Sequence, residues 1–167
     1  MFRRIADFQK TWAEESENTL KVLSALTDAS LAQAVAPEAR TLGRLAWHVV
    51  TSVGEMANRT GLALGGPPHE APVPPSAADI VAAYQTASQS LTNEVASKWT
   101  DATLEIEDDM YGETWPRGLT LFALVVHQTH HRAQMTVLMR QAALKVPGVY
   151  GPAREEWSAF GMPAPSV

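Results

Sequence analysis

The 167 residues are enough for one domain with its own core, and 46% hydrophobic with 19% charged residues is an ordinary globular composition. The net charge of −5 and the lack of a basic stripe argue against a nucleic-acid partner. The chain has no cysteine, which excludes disulfides, thiolate metal ligands and a cysteine nucleophile. No run reaches the roughly 18 apolar residues of a membrane span. Charged residues near the N-terminus interrupt the apolar segment that a signal peptide would need. We therefore expect a cytoplasmic protein without a membrane partner.

Four segments have apolar residues at the spacing of an amphipathic helix. They are residues 2–26, 41–64, 76–99 and 119–144. Thr41 and Ser76 have the side chains of N-caps at the start of the second and third segments. These lengths and patterns predict an all-α protein built as a four-helix bundle.

The connections between these segments differ in composition. Residues 27–40 are expected to form a break and then a short helix or an irregular turn. Residues 65–75, rich in glycine and proline, predict an extended crossover in which His69 is solvated. The acidic stretch 103–112 predicts a short strand or an extended connection, and residues 154–160 predict one more helical turn. Neither side of the crossover has enough apolar surface for a core, so we expect a single domain over residues 1–167.

Three of the five histidines, His127, His130 and His131, lie within five residues of the fourth helix. His127 and His131 are four residues apart, which on a helix places them about 40° apart and one turn from each other. Two imidazoles in that relation can bind one transition-metal ion. His130 is a further candidate for a metal ligand or a core histidine, because it lies three residues from His127 and that spacing also permits pairing. A histidine on an apolar face is also commonly a hydrogen-bonded core residue, so periodicity leaves open both metal binding and which of the three faces elsewhere.

Other polar residues allow either a functional or a purely structural interpretation. Gln134 could orient a ligand imidazole or hydrogen-bond a neighbouring helix. Glu55, two turns beyond His48 in the second helix, could be a general base, an acceptor for a ligand, or a surface glutamate. Arg132 is expected to pair with a nearby carboxylate or carbonyl. Three aromatic residues flank the fourth helix and could line a pocket mouth or cover a core edge: Tyr111, Trp115 and Tyr150.

Three features together resemble the DinB/YfiT-like family of metalloenzymes. The first is His48 within Leu-Ala-Trp-His-Val. The second is the run at 127–134, His-Gln-Thr-His-His-Arg-Ala-Gln, which is close to the family's H-x-x-H-H-R-G-Q. The third is Val-Pro-Gly-Val-Tyr-Gly-Pro at 146–152. Ala133 stands where many members have glycine, and it keeps a small residue at that position.

The resemblance covers essentially the whole chain and carries several expectations. It implies an up-down-down-up bundle with a long, proline-rich crossover between the second and third helices. It implies a metal site at His48, His127 and His131, with His130 outside the ligand set. Gln134, His130 and Glu55 are then candidates to support the ligands. Members with an assigned activity resemble transferases or isomerases that use a low-molecular-weight thiol, and homodimers are common, so a homodimer is expected here.

Three neutral imidazoles with an open coordination position form the catalytic rather than the structural type of site. A divalent ion, zinc or nickel ahead of iron, would activate water or a low-molecular-weight thiol there. We therefore expect a metal-dependent thiol transferase or hydrolase that acts on a small electrophilic molecule. The alternative is a non-catalytic, stress-associated dimer that binds a metal or another ligand, because no unambiguous general acid or base lies beside the ligands in the sequence.

Overall fold

The computed structural model describes residues 1–166, which contain four long α-helices and one hairpin. The helices are α1 (Ile5–Ser24), α2 (Leu42–Asn58), α3 (Ala77–Lys98) and α4 (Arg117–Gln141). The antiparallel strands β1 (Glu107–Met110) and β2 (Glu113–Pro116) lie between α3 and α4. Short 3-10 helices cover Asp28–Ala32, Asp101–Glu105 and Arg154–Phe160. The last of these is the additional helical turn predicted near the end of the chain.

The two predicted N-caps are present, and one predicted helix end is wrong. Thr41 and Ser76 each accept a hydrogen bond from the backbone N–H three residues later, at 3.1 and 3.4 Å. The second helix ends at Asn58, six residues before the predicted end at 64. The chain turns through Gly61, whose φ of +79° is a conformation that glycine adopts without a clash at Cβ.

The acidic link before α4 forms a two-stranded hairpin. A short strand was predicted within 103–112, but its partner strand β2 was not. Tyr111 and Gly112 form the turn with φ values of 63° and 85°, as two-residue hairpin turns require. Met110 and Glu113 face each other across this turn, and Asp108 pairs with Trp115. The hairpin therefore holds two aromatic residues next to the start of α4.

Contacts near the helix ends show that α1 and α3 are antiparallel. The backbone N–H of Ile5, at the start of α1, donates to the carboxylate of Asp101, just after α3, at 2.7 Å. The backbone N–H of Ala77, at the start of α3, donates to Asp28, just after α1, also at 2.7 Å. Each helix therefore begins where the other ends.

The other two helices complete an up-down-down-up bundle. Phe2 donates to the carbonyl of Gly118 at 3.0 Å, so α1 and α4 begin at the same end of the molecule. Near the end of α2, Glu55 accepts a hydrogen bond from Tyr111, which lies shortly before α4, so α2 runs antiparallel to α4. α2 and α3 are thus parallel, and residues 59–76 must cross the length of the bundle between them. This is the order of helices and the long crossover that the resemblance implied.

Side chains from all four helices meet in one hydrophobic core. Its largest fully buried members include Phe8, Trp12, Leu42, Tyr84 and Leu124. Phe8 stacks on Trp12 with ring centroids 6.1 Å apart, which orders the core side of α1. Among the helices of residues 1–166, none combines the length and the apolar character that a membrane span needs.

Candidate metal centre

His48 on α2 meets His127 and His131 on α4 where the two helices pack together. The ring centroids lie 4.9 Å apart for His48 and His127, 4.7 Å for His48 and His131, and 4.5 Å for His127 and His131. One ring nitrogen from each residue lies within 4.8 Å of the other two. The four-residue spacing puts two imidazoles on one face of α4, and the antiparallel packing of α2 supplies the third.

The separation of two of these nitrogens suits a shared metal ion. Nε2 of His48 and Nε2 of His127 are 3.1 Å apart. Two nitrogens bound at about 2.0–2.1 Å to one tetrahedral zinc ion lie ~3.3 Å apart. Within residues 1–166, no carboxylate or further histidine joins the group. Three protein ligands with an open position are typical of catalytic rather than structural zinc sites, so the residues fit a divalent ion in an open site.

Gln134 fixes the orientation of His131. Its Oε1 accepts a hydrogen bond from Nδ1 of His131 at 2.7 Å, which leaves Nε2 of that ring free to bind a metal. The amide nitrogen of Gln134 donates to Nε2 of His130 at 3.1 Å. His130 is exposed and lies outside the cluster of three. Of the two roles predicted for Gln134, the structure supports the orientation of an imidazole.

Burial favours the neutral form of the three imidazoles. Desolvation, followed by the neighbouring histidines, lowers the pKa of His48 and of His127 to about 4. Burial also lowers the pKa of His131, although its hydrogen bond to Gln134 acts in the opposite direction. Arg40 adds a smaller lowering to the pKa of each ring. Metal binding needs deprotonated imidazoles, so this environment prepares all three as ligands near neutral pH.

A pocket of about 400 Å³ opens beside His48 and His127. Its walls include Tyr111 and Trp115 from the hairpin and Glu55 from α2. The two aromatic residues line a pocket mouth, which was one of the two roles considered for them. The hairpin brings them there, and no helical pattern in the sequence indicates this position.

Glu55 is an ionised carboxylate within this pocket. Its side chain is 17% exposed and accepts hydrogen bonds from the Tyr111 hydroxyl at 2.6 Å and from Nε of Arg59 at 2.8 Å. Burial acts to raise the pKa of Glu55, but the hydrogen bonds from Tyr111 and Arg59 outweigh it and leave this pKa below its ordinary value. Glu55 is therefore a pocket residue rather than a freely solvated one.

His69 is half-buried in the wall of a pocket, whereas we expected it to be freely solvated in the crossover. The residue lines the same pocket, and its ring centroid lies 6.1 Å from that of His48. Nδ1 of His69 is buried and has no hydrogen-bond partner in the part of the chain that the structure describes. The crossover lies against α2 because Nε1 of Trp47 donates to the carbonyl of Ala71 at 2.8 Å. A loop has no periodicity, so no pattern in the sequence indicates this position.

Arg132 has the structural role that was predicted for it. The residue is 2% exposed, and it donates to the Glu15 carboxylate at 2.5 Å and to the Glu15 carbonyl at 3.0 Å. Tyr150 accepts from Arg132 at 2.5 Å and donates to Glu15 at 2.7 Å. Tyr150 therefore covers a buried ion pair between α1 and α4, and it is not among the residues that line the pocket beside His48.

Comparisons with known proteins agree with this architecture. The model of the DinB family matches residues 1–165. The uncharacterized protein YrdA of Bacillus subtilis (strain 168) is 45% identical over 167 residues, with both chains covered in full. A crystal structure of a DinB-like protein from Bacillus cereus ATCC 10987 has 45% identity and a TM-score of 0.87, and the match covers 90% of this chain and 100% of that one.

A more distant structure shares the fold alone. The DinB-like protein YjoA of Bacillus subtilis is 16% identical, with a TM-score of 0.68 over 86% of this chain and 97% of its own. The family match and the relatives at 45% identity cover nearly all of the sequence. The chain belongs to the DinB family.

Proposed function

We propose that this protein is an enzyme that depends on a divalent metal ion held by His48, His127 and His131. The observation that carries the proposal is the convergence of three neutral imidazoles from two facing helices, without a fourth protein ligand among residues 1–166. Zinc or nickel is expected ahead of iron, because nitrogen ligands generally bind Ni²⁺ and Zn²⁺ more tightly than Fe²⁺. The substrate is a small electrophilic molecule, and the nucleophile is water or a low-molecular-weight thiol.

The chain's own residues support a hydrolase or a thiol transferase. A divalent ion bound at this site would lower the pKa of a coordinated water or thiol. Glu55 is placed to accept the proton that the nucleophile loses, because it is ionised and lines the pocket beside His48 and His127. The Tyr111 hydroxyl holds this carboxylate in place through its hydrogen bond. The Trp115 ring forms another part of the wall of the same pocket.

The non-catalytic alternative is less well supported by these positions. That alternative rests on the absence of an unambiguous acid or base beside the ligands in the sequence. Glu55 and His69 both line the pocket next to the ligands, and they come from a helix turn and a loop that are distant from His127 along the chain. The homodimer and the cytoplasmic location stay predictions.

Metal analysis with matched variants tests the proposal. Protein purified without a tag or a metal column should contain about one divalent ion per chain. His131→Ala should lose that ion, and the control His130→Ala, which removes an exposed imidazole outside the cluster, should retain it. Full metal content in His131→Ala, together with unchanged turnover of a thiol and an electrophile, would show that the assigned site is wrong.

A further inference from the structure

A second pocket borders His131 on the side of residues 33–41, the loop before α2. Its volume is about 470 Å³, and it lies between that loop, the start of α2 and the last turns of α4. Apolar side chains form most of its wall: Val35, Leu45, Val137 and Leu138. Pockets of this size and character commonly bind small organic molecules.

Two large apolar side chains stand exposed at this pocket. Val35 in the loop is 63% exposed, and Val137 on α4 is 56% exposed. Both line the pocket, so a molecule bound there would cover them. Leu45 and Leu138 are buried and form a fixed inner wall, at 6% and 4% exposure. The pocket thus has an apolar inner wall and apolar side chains that are left in contact with water.

Arg40 gives this apolar pocket a positive charge. Its side chain lines the pocket, and no carboxylate among residues 1–166 lies within salt-bridge distance of it. Among residues 1–166, no aspartate or glutamate lines the pocket. His131 lines the same pocket as Arg40, so the guanidinium is close to the candidate metal site and available to an anion.

We propose that this pocket binds a small apolar molecule that carries a carboxylate, with the carboxylate on Arg40 and the apolar body between Leu45 and Val137. A guanidinium matches a carboxylate with two parallel hydrogen bonds, which a neutral or cationic group does not form. The inference deepens the proposed function, because a molecule in this pocket would lie against His131. It assigns the electrophilic substrate to the class of apolar carboxylic acids.

Three probes of similar shape separate charge from apolar contact. Phenylacetate is the anion, phenylacetamide is the neutral analogue and phenethylamine is the cation. Titration calorimetry with the metal-containing protein should give a Kd for phenylacetate about tenfold below that for phenylacetamide, as expected for one charge-assisted contact. Phenethylamine should bind most weakly, because Arg40 repels it.

Variants assign the binding to this pocket. Arg40→Gln keeps a side chain of similar length without its charge, and it should bring the affinities for phenylacetate and phenylacetamide to within about twofold of each other. Val137→Trp replaces an exposed valine by a ring that fills the pocket, and it should weaken all three probes. Arg44→Gln is the matched control, because Arg44 is not among the lining residues, and it should retain the preference for the anion.

Metal removal distinguishes this inference from the proposed function. Phenylacetate that binds the metal-free protein with the same dependence on Arg40 supports the pocket, even if the metal-dependent reaction is disproved. Equal affinity of the wild-type protein for phenylacetate and phenylacetamide would overturn the inference. Binding that disappears with the metal and is unaffected by Arg40→Gln would also overturn it, because the carboxylate would then be a metal ligand.

Discussion

Nδ1 of His131 donates to Oε1 of Gln134 at 2.7 Å, so one residue of α4 fixes the ring of another less than one turn away. A metal-bound imidazole whose other nitrogen has a fixed acceptor keeps one tautomer and one orientation. Gln134 is therefore a positioning residue for the candidate metal site.

Gln134→Ala should lower metal affinity by roughly 10- to 100-fold without unfolding the protein. The side chain is exposed, so its loss costs little packing. Competition with a chelator measures the affinity, and Gln134→Glu, which retains an acceptor, should restore most of it. His130→Ala serves as the control and should have a smaller effect. Unchanged affinity in Gln134→Ala would remove its positioning role.

Glu55→Gln should reduce turnover by roughly 10²- to 10⁴-fold and leave the metal content unchanged. The amide keeps the shape of the side chain but cannot take up the proton of the nucleophile. Steady-state kinetics with the metal-loaded protein, alongside elemental analysis, measures both quantities. Tyr111→Phe, which removes one hydrogen bond to Glu55, should have a milder effect. Normal turnover in Glu55→Gln would mean that another group accepts the proton.

Glu15→Ala should destabilise the protein by about 3–5 kcal/mol, because it leaves Arg132 buried without its carboxylate partner. Urea unfolding monitored by circular dichroism gives this free energy. Glu17→Ala is the matched control two residues away, where an exposed pair with Lys21 at 3.4 Å should contribute less than about 1 kcal/mol. Similar losses in the two variants would argue against a special role for the buried pair.

The metal-free protein should become less stable as the pH falls from about 6.5 to about 4. His48 and His127 have folded pKa values of about 4 and an ordinary value of 6.5, so the unfolded chain binds more protons in this window. Protonation then favours unfolding. Solvent screening of these half-buried rings reduces the effect to about 1 kcal/mol each.

Urea unfolding of chelator-treated protein at about pH 7 and about pH 5 measures this dependence. His48→Asn removes one of the two rings and should flatten the profile. A metal-free protein that is equally stable or more stable at the lower pH would contradict the assignment of neutral buried imidazoles.

The helices and two of the clustered histidines could be predicted because their signals are local. Apolar periodicity marks each helix, and the four-residue spacing alone puts His127 and His131 on one face. His48 lies 79 residues from His127, and its place opposite them depends on how α2 packs. The family resemblance supplied that residue, whereas periodicity did not.

Three other residues near the candidate site lie in irregular segments. His69 is in the crossover, Tyr111 is in a hairpin turn and Arg40 is in the loop before α2. Their positions depend on individual contacts such as that of Trp47 with Ala71, and short-range sequence patterns do not encode such contacts. The early end of α2 at Asn58 had a visible signal in Gly61, but one glycine in an apolar pattern is ambiguous.

His48 and His127 are far apart along a chain that has no cysteine to form a disulfide. An ion shared by these residues would close a loop of 79 residues, as a disulfide does, and would restrict the unfolded chain through loop entropy. Because the unfolded chain lacks a preformed site, the free energy of metal binding adds to that of folding. The supply of metal ions would then set how long the folded protein survives in the cell, as well as whether it is active.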